Sequence, residues 1–107
     1  MKIAISASSQ DLSGNIADVF GRCPYFIIAE IESGKILKTE VLKNESENQS
    51  SGAGISAAQL LANNGVEAVI AKSIGPKALD VLRQFNIKIY TGDGSIEKSL
   101  NEFITKN

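Results

Sequence analysis

The segment 54–90, GISAAQLLANNGVEAVIAKSIGPKALDVLRQFNIKIY, changes its hydrophobic period three times. Residues 54–64 are rich in Ala and Leu and read as a helix, with Gly65 in the position that stops it. Residues 66–71 (VEAVIA) form a short apolar run of the kind found in buried parallel strands. Gly75-Pro76 opens a second helix, because proline in the first turn replaces an N–H that has no helical partner. Ala78, Leu79, Val81, Leu82 and Phe85 give this helix an apolar face, and Asn86 is a left-handed stop. Residues 87–90 return to a strand. Strand and helix in alternation require parallel strands joined by right-handed crossovers.

Outward from this core, Ser95 is an N-cap for a last helix, whose Ile96, Leu100, Phe103 and Ile104 recur at helical spacing. On the N-terminal side, 25–31 (YFIIAEI) and 36–42 (ILKTEVL) flank the turn Glu32-Ser33-Gly34-Lys35 and predict an antiparallel hairpin. In its second arm Leu37 and Val41 flank Thr39 on one face, with Lys38 and Glu40 on the other. A first strand covers 2–6. The polar stretch 8–22 follows, with Ile16, Val19 and Phe20 spaced for a short helical turn. Residues 43–51 (KNESENQSS) contain nothing apolar and read as a flexible loop. The order βββαβαβα predicts an α/β fold with a mixed five-stranded sheet. Three N-terminal strands include the antiparallel hairpin, βα units follow, and helices flank the sheet. That is the arrangement of the ribonuclease H-like fold.

At 107 residues the chain is expected to form one domain, residues 1–107. It carries a net charge of −1, no histidine and one cysteine. Near-neutral charge argues against a nucleic-acid partner, which needs a concentrated basic face. One cysteine cannot make an internal disulfide. No run of about 20 apolar residues exists to cross a membrane, and no secretory leader is visible, so the expected location is the cytoplasm. Without histidine the chain has no Ser–His or Cys–His nucleophile pair and no His-ligated metal.

Topology also places the loops. If the first strand runs up, segments 8–23, 43–53, 72–75 and 91–94 all leave the upper edge, and the three long helices start there. Ligands of open α/β sheets bind at the carboxyl ends of strands, and helix N-termini suit anions. Ser51, Gly52 and Gly54 precede the first helix, Gly75 the second, and Gly92 and Gly94 the third. Small residues there let backbone N–H groups approach a ligand. Arg22 and Cys23 add a fixed positive charge and a soft sulfur at the same edge. Each feature alone is ordinary turn or core chemistry, and no phosphate-binding Gly-Lys-Ser/Thr motif is present. Convergence of four segments is what favours a site. The first strand, KIAIS, carries no acid, which argues against a two-metal nuclease.

The chain resembles the dinitrogenase iron–molybdenum cofactor biosynthesis family, of which it would be a small stand-alone member. The matching stretches are MKIAIS at 1–6, Phe20-Gly21-Arg22-Cys23-Pro24-Tyr25-Phe26, Gly52-Ala53-Gly54, Asn64-Gly65-Val66, Gly75-Pro76-Lys77-Ala78 and Ile87-Lys88-Ile89-Tyr90. They cover nearly the whole sequence, and the F-G-R-x-P-Y-F run is the most specific. The resemblance implies a ribonuclease H-like fold and an iron–sulfur-type cluster or iron–molybdenum cofactor precursor as the bound species. With imidazole absent, Cys23 is the one strong metal ligand of the chain, and a lone thiolate per chain points to a dimer or a hydrogen-bonded, transient site.

The expected function is therefore non-enzymatic. A small carrier or chaperone would bind an anionic metallocluster through Arg22, Cys23, Ser51, Gly52, Gly54, Gly75, Gly92 and Gly94. Its partners would be cluster donor or acceptor proteins, and its state a monomer or weak homodimer. The alternative is a protein-interaction or regulatory module of the same fold without metal binding, suggested by the missing histidines and the polar 43–51 loop. A redox activity at Cys23 is a third reading, opposed by the lack of a resolving cysteine.

Overall fold

In a computed structural model, which describes residues 1–106, five strands form one sheet in the order β3-β2-β1-β4-β5. The elements are β1 Lys2–Ala7, β2 Tyr25–Glu32, β3 Lys35–Lys43, α1 Ala53–Asn63, β4 Ala68–Ala71, α2 Pro76–Gln84, β5 Lys88–Thr91 and α3 Ile96–Lys106. β1 pairs antiparallel with β2 and parallel with β4, and β4 runs parallel to β5. The expected mixed sheet and the expected order of elements are both present.

The punctuation residues act as their chemistry demands. Ser33 and Gly34, at φ 53° and 76°, make the two-residue hairpin turn between β2 and β3. Gly65 ends α1 at φ 74°, and Asn86 ends α2 at φ 59°. Ser95 Oγ accepts the Lys98 N–H at 3.1 Å and so caps α3.

β1 is central and buried on both faces from Ile3 onward. Ala4 faces the α1–α2 layer, with Val69, Ala57, Ala58, Leu61, Ala78 and Leu82. Ile3, Ile5, Ile27 and Ile70 face α3 and pack on its Ile96, Leu100 and Phe103. Tyr90 meets Phe103 edge-on, with ring centroids 4.8 Å apart. Helices α1 and α2 therefore lie on one side of the sheet and α3 on the other.

Three local expectations are corrected. Residues 16–20 do not form a helical turn: Ile16 bridges to Ala7 and Asn15 to Ser95, and a 3-10 turn follows only at Phe20–Arg22. Backbone pairing with β1 and with the start of α3 outcompetes a short helix. β3 is not half-buried, since Lys35–Val41 are exposed and only Leu42 is partly covered. The 43–51 loop is anchored rather than free, because Asn44 and Ser46 are buried.

Candidate functional site

The 3-10 turn Phe20–Arg22 and the starts of α1 and α2 border a cleft of ≈ 420 Å³. Its lining includes Val19, Gly21, Arg22, Gly52, Gly54, Ile55, Gly75 and Lys77. Glycine is required where these elements meet. A Cβ on Gly21 would lie 2.7 Å from both Cα and N of Gly54. A Cβ on Gly54 would lie 3.0 Å from the Ala78 Cβ. The turn thus touches α1 backbone to backbone, and α1 rests on the Ala78 methyl of α2, so the helix starts are drawn together.

Neither helix start is neutralised. Gly52, at φ 70°, precedes α1 and Gly75 precedes α2, and neither helix has a side-chain cap or an acid in its first turn. Their leading N–H groups and positive dipole ends face an anion-compatible space. Arg22 and Lys77 add two exposed cationic side chains to the same cleft. Arg22 Nη1 donates to the carbonyls of Glu47, at 3.2 Å, and of Gln49, tying the 43–51 loop across the turn.

The structure places Cys23 differently from the glycines. It is 1% exposed, in the core below the loop. Burial pushes its thiol up to about 12, opposed by hydrogen bonds from the Ala7 backbone and the Asn44 side chain. The Asn44 amide lies over it, donating to the carbonyls of Cys23 at 2.8 Å and Gly21 at 3.2 Å, while Asn44 Oδ1 accepts the Ser46 N–H. At neutral pH the thiol is protonated and screened from solvent, which is the state least suited to ligation or redox attack.

Gly92 and Gly94 also fall outside the cleft. α3 starts on the opposite side of the sheet, is capped by Ser95 and carries Glu97 in its first turn. The Gly94 carbonyl accepts the Ile16 N–H at 2.8 Å, and a Cβ on Gly92 would meet Ile70 and Ile16 at 2.7 and 2.9 Å. These glycines serve the packing of the 8–19 segment. Ser51 is exposed beside Gly52, its carbonyl accepting from Gln49 Nε2 at 2.7 Å. Sequence reasoning missed Asn44 and did not count Lys77 among the site residues. Lys77 was legible, standing in the first turn after Gly75-Pro76, whereas nothing local marks Asn44. A further cation, Lys72, sits at this edge between Asp18 (3.4 Å) and Asp93 (3.6 Å), which hold it protonated and offset its charge. Among the described residues no three His, Cys, Asp or Glu side chains gather to hold a metal ion.

The sequence profile described as dinitrogenase iron-molybdenum cofactor matches residues 1–106. The chain belongs to that family. An uncharacterised protein of Methanocaldococcus jannaschii is 40% identical over 105 residues, covering 97% of this chain and 86% of the relative. The apo form of the orange protein from Desulfovibrio gigas superposes with a TM-score of 0.90 at 29% identity, over 98% of this chain and 88% of that one. A Thermotoga protein provisionally named NifB superposes with a TM-score of 0.79 at 33% identity, over 95% and 85% of the two chains. The family match relates the chain to proteins associated with the iron-molybdenum cofactor. No helix among the described residues is long and apolar enough to cross a membrane.

Proposed function

We propose that this family member is a non-enzymatic carrier that holds an anionic, sulfide-bearing metallocluster or cofactor precursor in the cleft between the Phe20–Arg22 turn, α1 and α2. The strand order β3-β2-β1-β4-β5 supports the ribonuclease H-like reading of the fold. The observation that carries the function is the pair of uncapped, acid-free helix starts converging beside Arg22 and Lys77. Such a set offers N–H donors and positive charge but no ready metal ligand. It suits a cluster that brings its own sulfides, held by charge and hydrogen bonds rather than by protein–metal bonds. The apolar part of the lining (Val19, Ile55, Pro76) excludes water from a soft, weakly hydrated cargo. Gly52 and Gly75 admit it to the backbone, with Ser51 at the rim, while Gly54 lines the cleft and lets α1 close on α2. Cys23 ligates only if the 43–51 loop lifts and the thiol deprotonates.

Anaerobic reconstitution with ferrous iron and sulfide, followed by gel filtration and visible absorption, tests this reading. The wild type should elute with cluster absorption. Arg22→Ala and Lys77→Ala should each reduce it, and Cys23→Ala should leave it largely intact. Loss of the absorption only in Cys23→Ala would show ligation through an opened loop. No uptake by the wild type would sink the proposal. The cellular partners of such a carrier are cluster donor and acceptor proteins, and its expected location is the cytoplasm.

A further inference from the structure

β3 is nine residues long and forms one edge of the sheet, with β2 on its inner side. Among the described residues nothing pairs with its outer side. Ile36, Leu37 and Val41 stand 37%, 58% and 45% exposed along it. A long apolar edge is a template for another strand unless charges or bulges are set against pairing. Here the two central charges, Lys38 and Glu40, are arranged to fit a copy of the same strand.

We propose that β3 pairs antiparallel with β3 of a second copy of this chain, about a two-fold axis through Thr39, joining the two sheets into one. Along a strand edge, outward N–H and C=O groups belong to every second residue. Self-pairing therefore brings opposite each other only residues an even number apart, and the axis must pass through a residue. An axis at Lys38 or at Glu40 sets that charge against its own copy. An axis at Leu37 puts Lys38 opposite Ile36, and one at Val41 puts Glu40 opposite Leu42. Only an axis at Thr39 matches the central residues 37–41, while at the two ends Lys35 would meet Lys43 of the copy. Lys38 then faces Glu40 of the second copy, and Leu37 faces its Val41, each pair occurring twice.

Directly opposed unlike charges and apolar pairs are the contacts that stabilise a sheet. Lys38 Nζ already lies 3.8 Å from Glu30 Oε2 on β2, so the pairing would extend this contact into a row Glu30–Lys38–Glu40 across three strands. The irregularity between Glu30 and Ile31 leaves Leu37 without a partner on β2, so the regular alternation runs from Lys38 onward and the Leu37–Val41 pairs stand at its limit. The interface shares no residue with the cleft lining and is independent of the function proposed for it.

Sedimentation velocity over a concentration series, with Lys38→Glu, Glu40→Lys and the double exchange, tests the pairing. All these side chains are exposed, and thermal melts check that each variant is folded. The wild type should dimerise, each single variant should associate roughly tenfold more weakly, and the double exchange should restore the wild-type constant. An equimolar mixture of the two single variants should form a heterodimer, because their strands then oppose unlike charges at both crossings. A wild type that stays monomeric up to roughly millimolar concentration overturns the proposal. So does a dimer whose affinity ignores both charge reversals, or a mixture that fails to associate.

Discussion

The Cys23 thiol, pushed up to about 12 chiefly by burial, couples the fold to alkaline pH. Below about pH 9 the thiol is protonated in folded and unfolded chains alike, and it contributes no pH dependence. Between about 9 and 12 the unfolded chain releases this proton and the folded chain keeps it, so stability falls as pH rises. The loss approaches about 3–4 kcal/mol at the upper end. Urea midpoints of wild type and Cys23→Ala measured from pH 8 to 11 should show the wild type losing stability faster, and parallel curves would contradict the burial of the thiol. Gly21 makes a second point at this scale. Its missing Cβ is what lets the turn rest on Gly54, at the 2.7 Å separation that backbone cannot yield. Gly21→Ala should destabilise by about 1–3 kcal/mol and deform the cleft, read as a lower melting temperature together with lost cluster uptake. Ser6, by contrast, is fully buried, with an Oγ that has no hydrogen-bond partner among the described residues.

At the scale of elements, the two bare helix starts oppose stability to binding. Gly75 precedes α2 with φ −67°, and a Cβ there meets nothing within 4 Å, so a larger residue fits without strain. Gly75→Asp would cap α2 and complement its dipole, raising stability by about 0.5–1 kcal/mol. The same carboxylate would repel an anionic cargo. Higher melting temperature with weaker cluster uptake is the expected pair of results, and unchanged uptake would argue against the cleft as the site. The elements themselves were legible because their boundaries carry local chemistry: Gly34 and Asn86 at positive φ, Pro76 at a helix start, Ser95 as a cap. What was not legible depends on distant partners. Ile16 has helical spacing to Val19 and Phe20, yet it pairs with Ala7. β3 alternates as if half-buried, but no helix covers Lys35–Val41. Asn44 sits in a run of polar residues and is buried because two carbonyls of the Gly21–Cys23 turn need its amide. The glycines before α1, α2 and α3 look alike in sequence. Only the side of the sheet each helix takes separates Gly52 and Gly75 from Gly92 and Gly94.

For the whole molecule, net charge is only −1, so any attraction for an anion must come from the local arrangement of Arg22, Lys77 and two helix starts. Both side chains are exposed, and their contribution is open to screening. Cluster affinity should weaken as ionic strength rises from about 0.01 to 0.15 M, where the Debye length shortens from about 30 to 8 Å. A salt-independent affinity would instead indicate ligation or apolar contact. The parallel pairing of β1 with β4 has a consequence for the chain as it is made. Ile3 and Ala68 are partners in that ladder. A ribosome adding about 5–20 residues per second needs several seconds to travel between them. Throughout that interval the nascent β1, already able to pair with β2, presents one open flank of Ile3 and Ile5. A strand buried on both faces in the finished fold thus emerges well before β4 can enclose it, which sets a window in which a chaperone at the exit tunnel has something to hold.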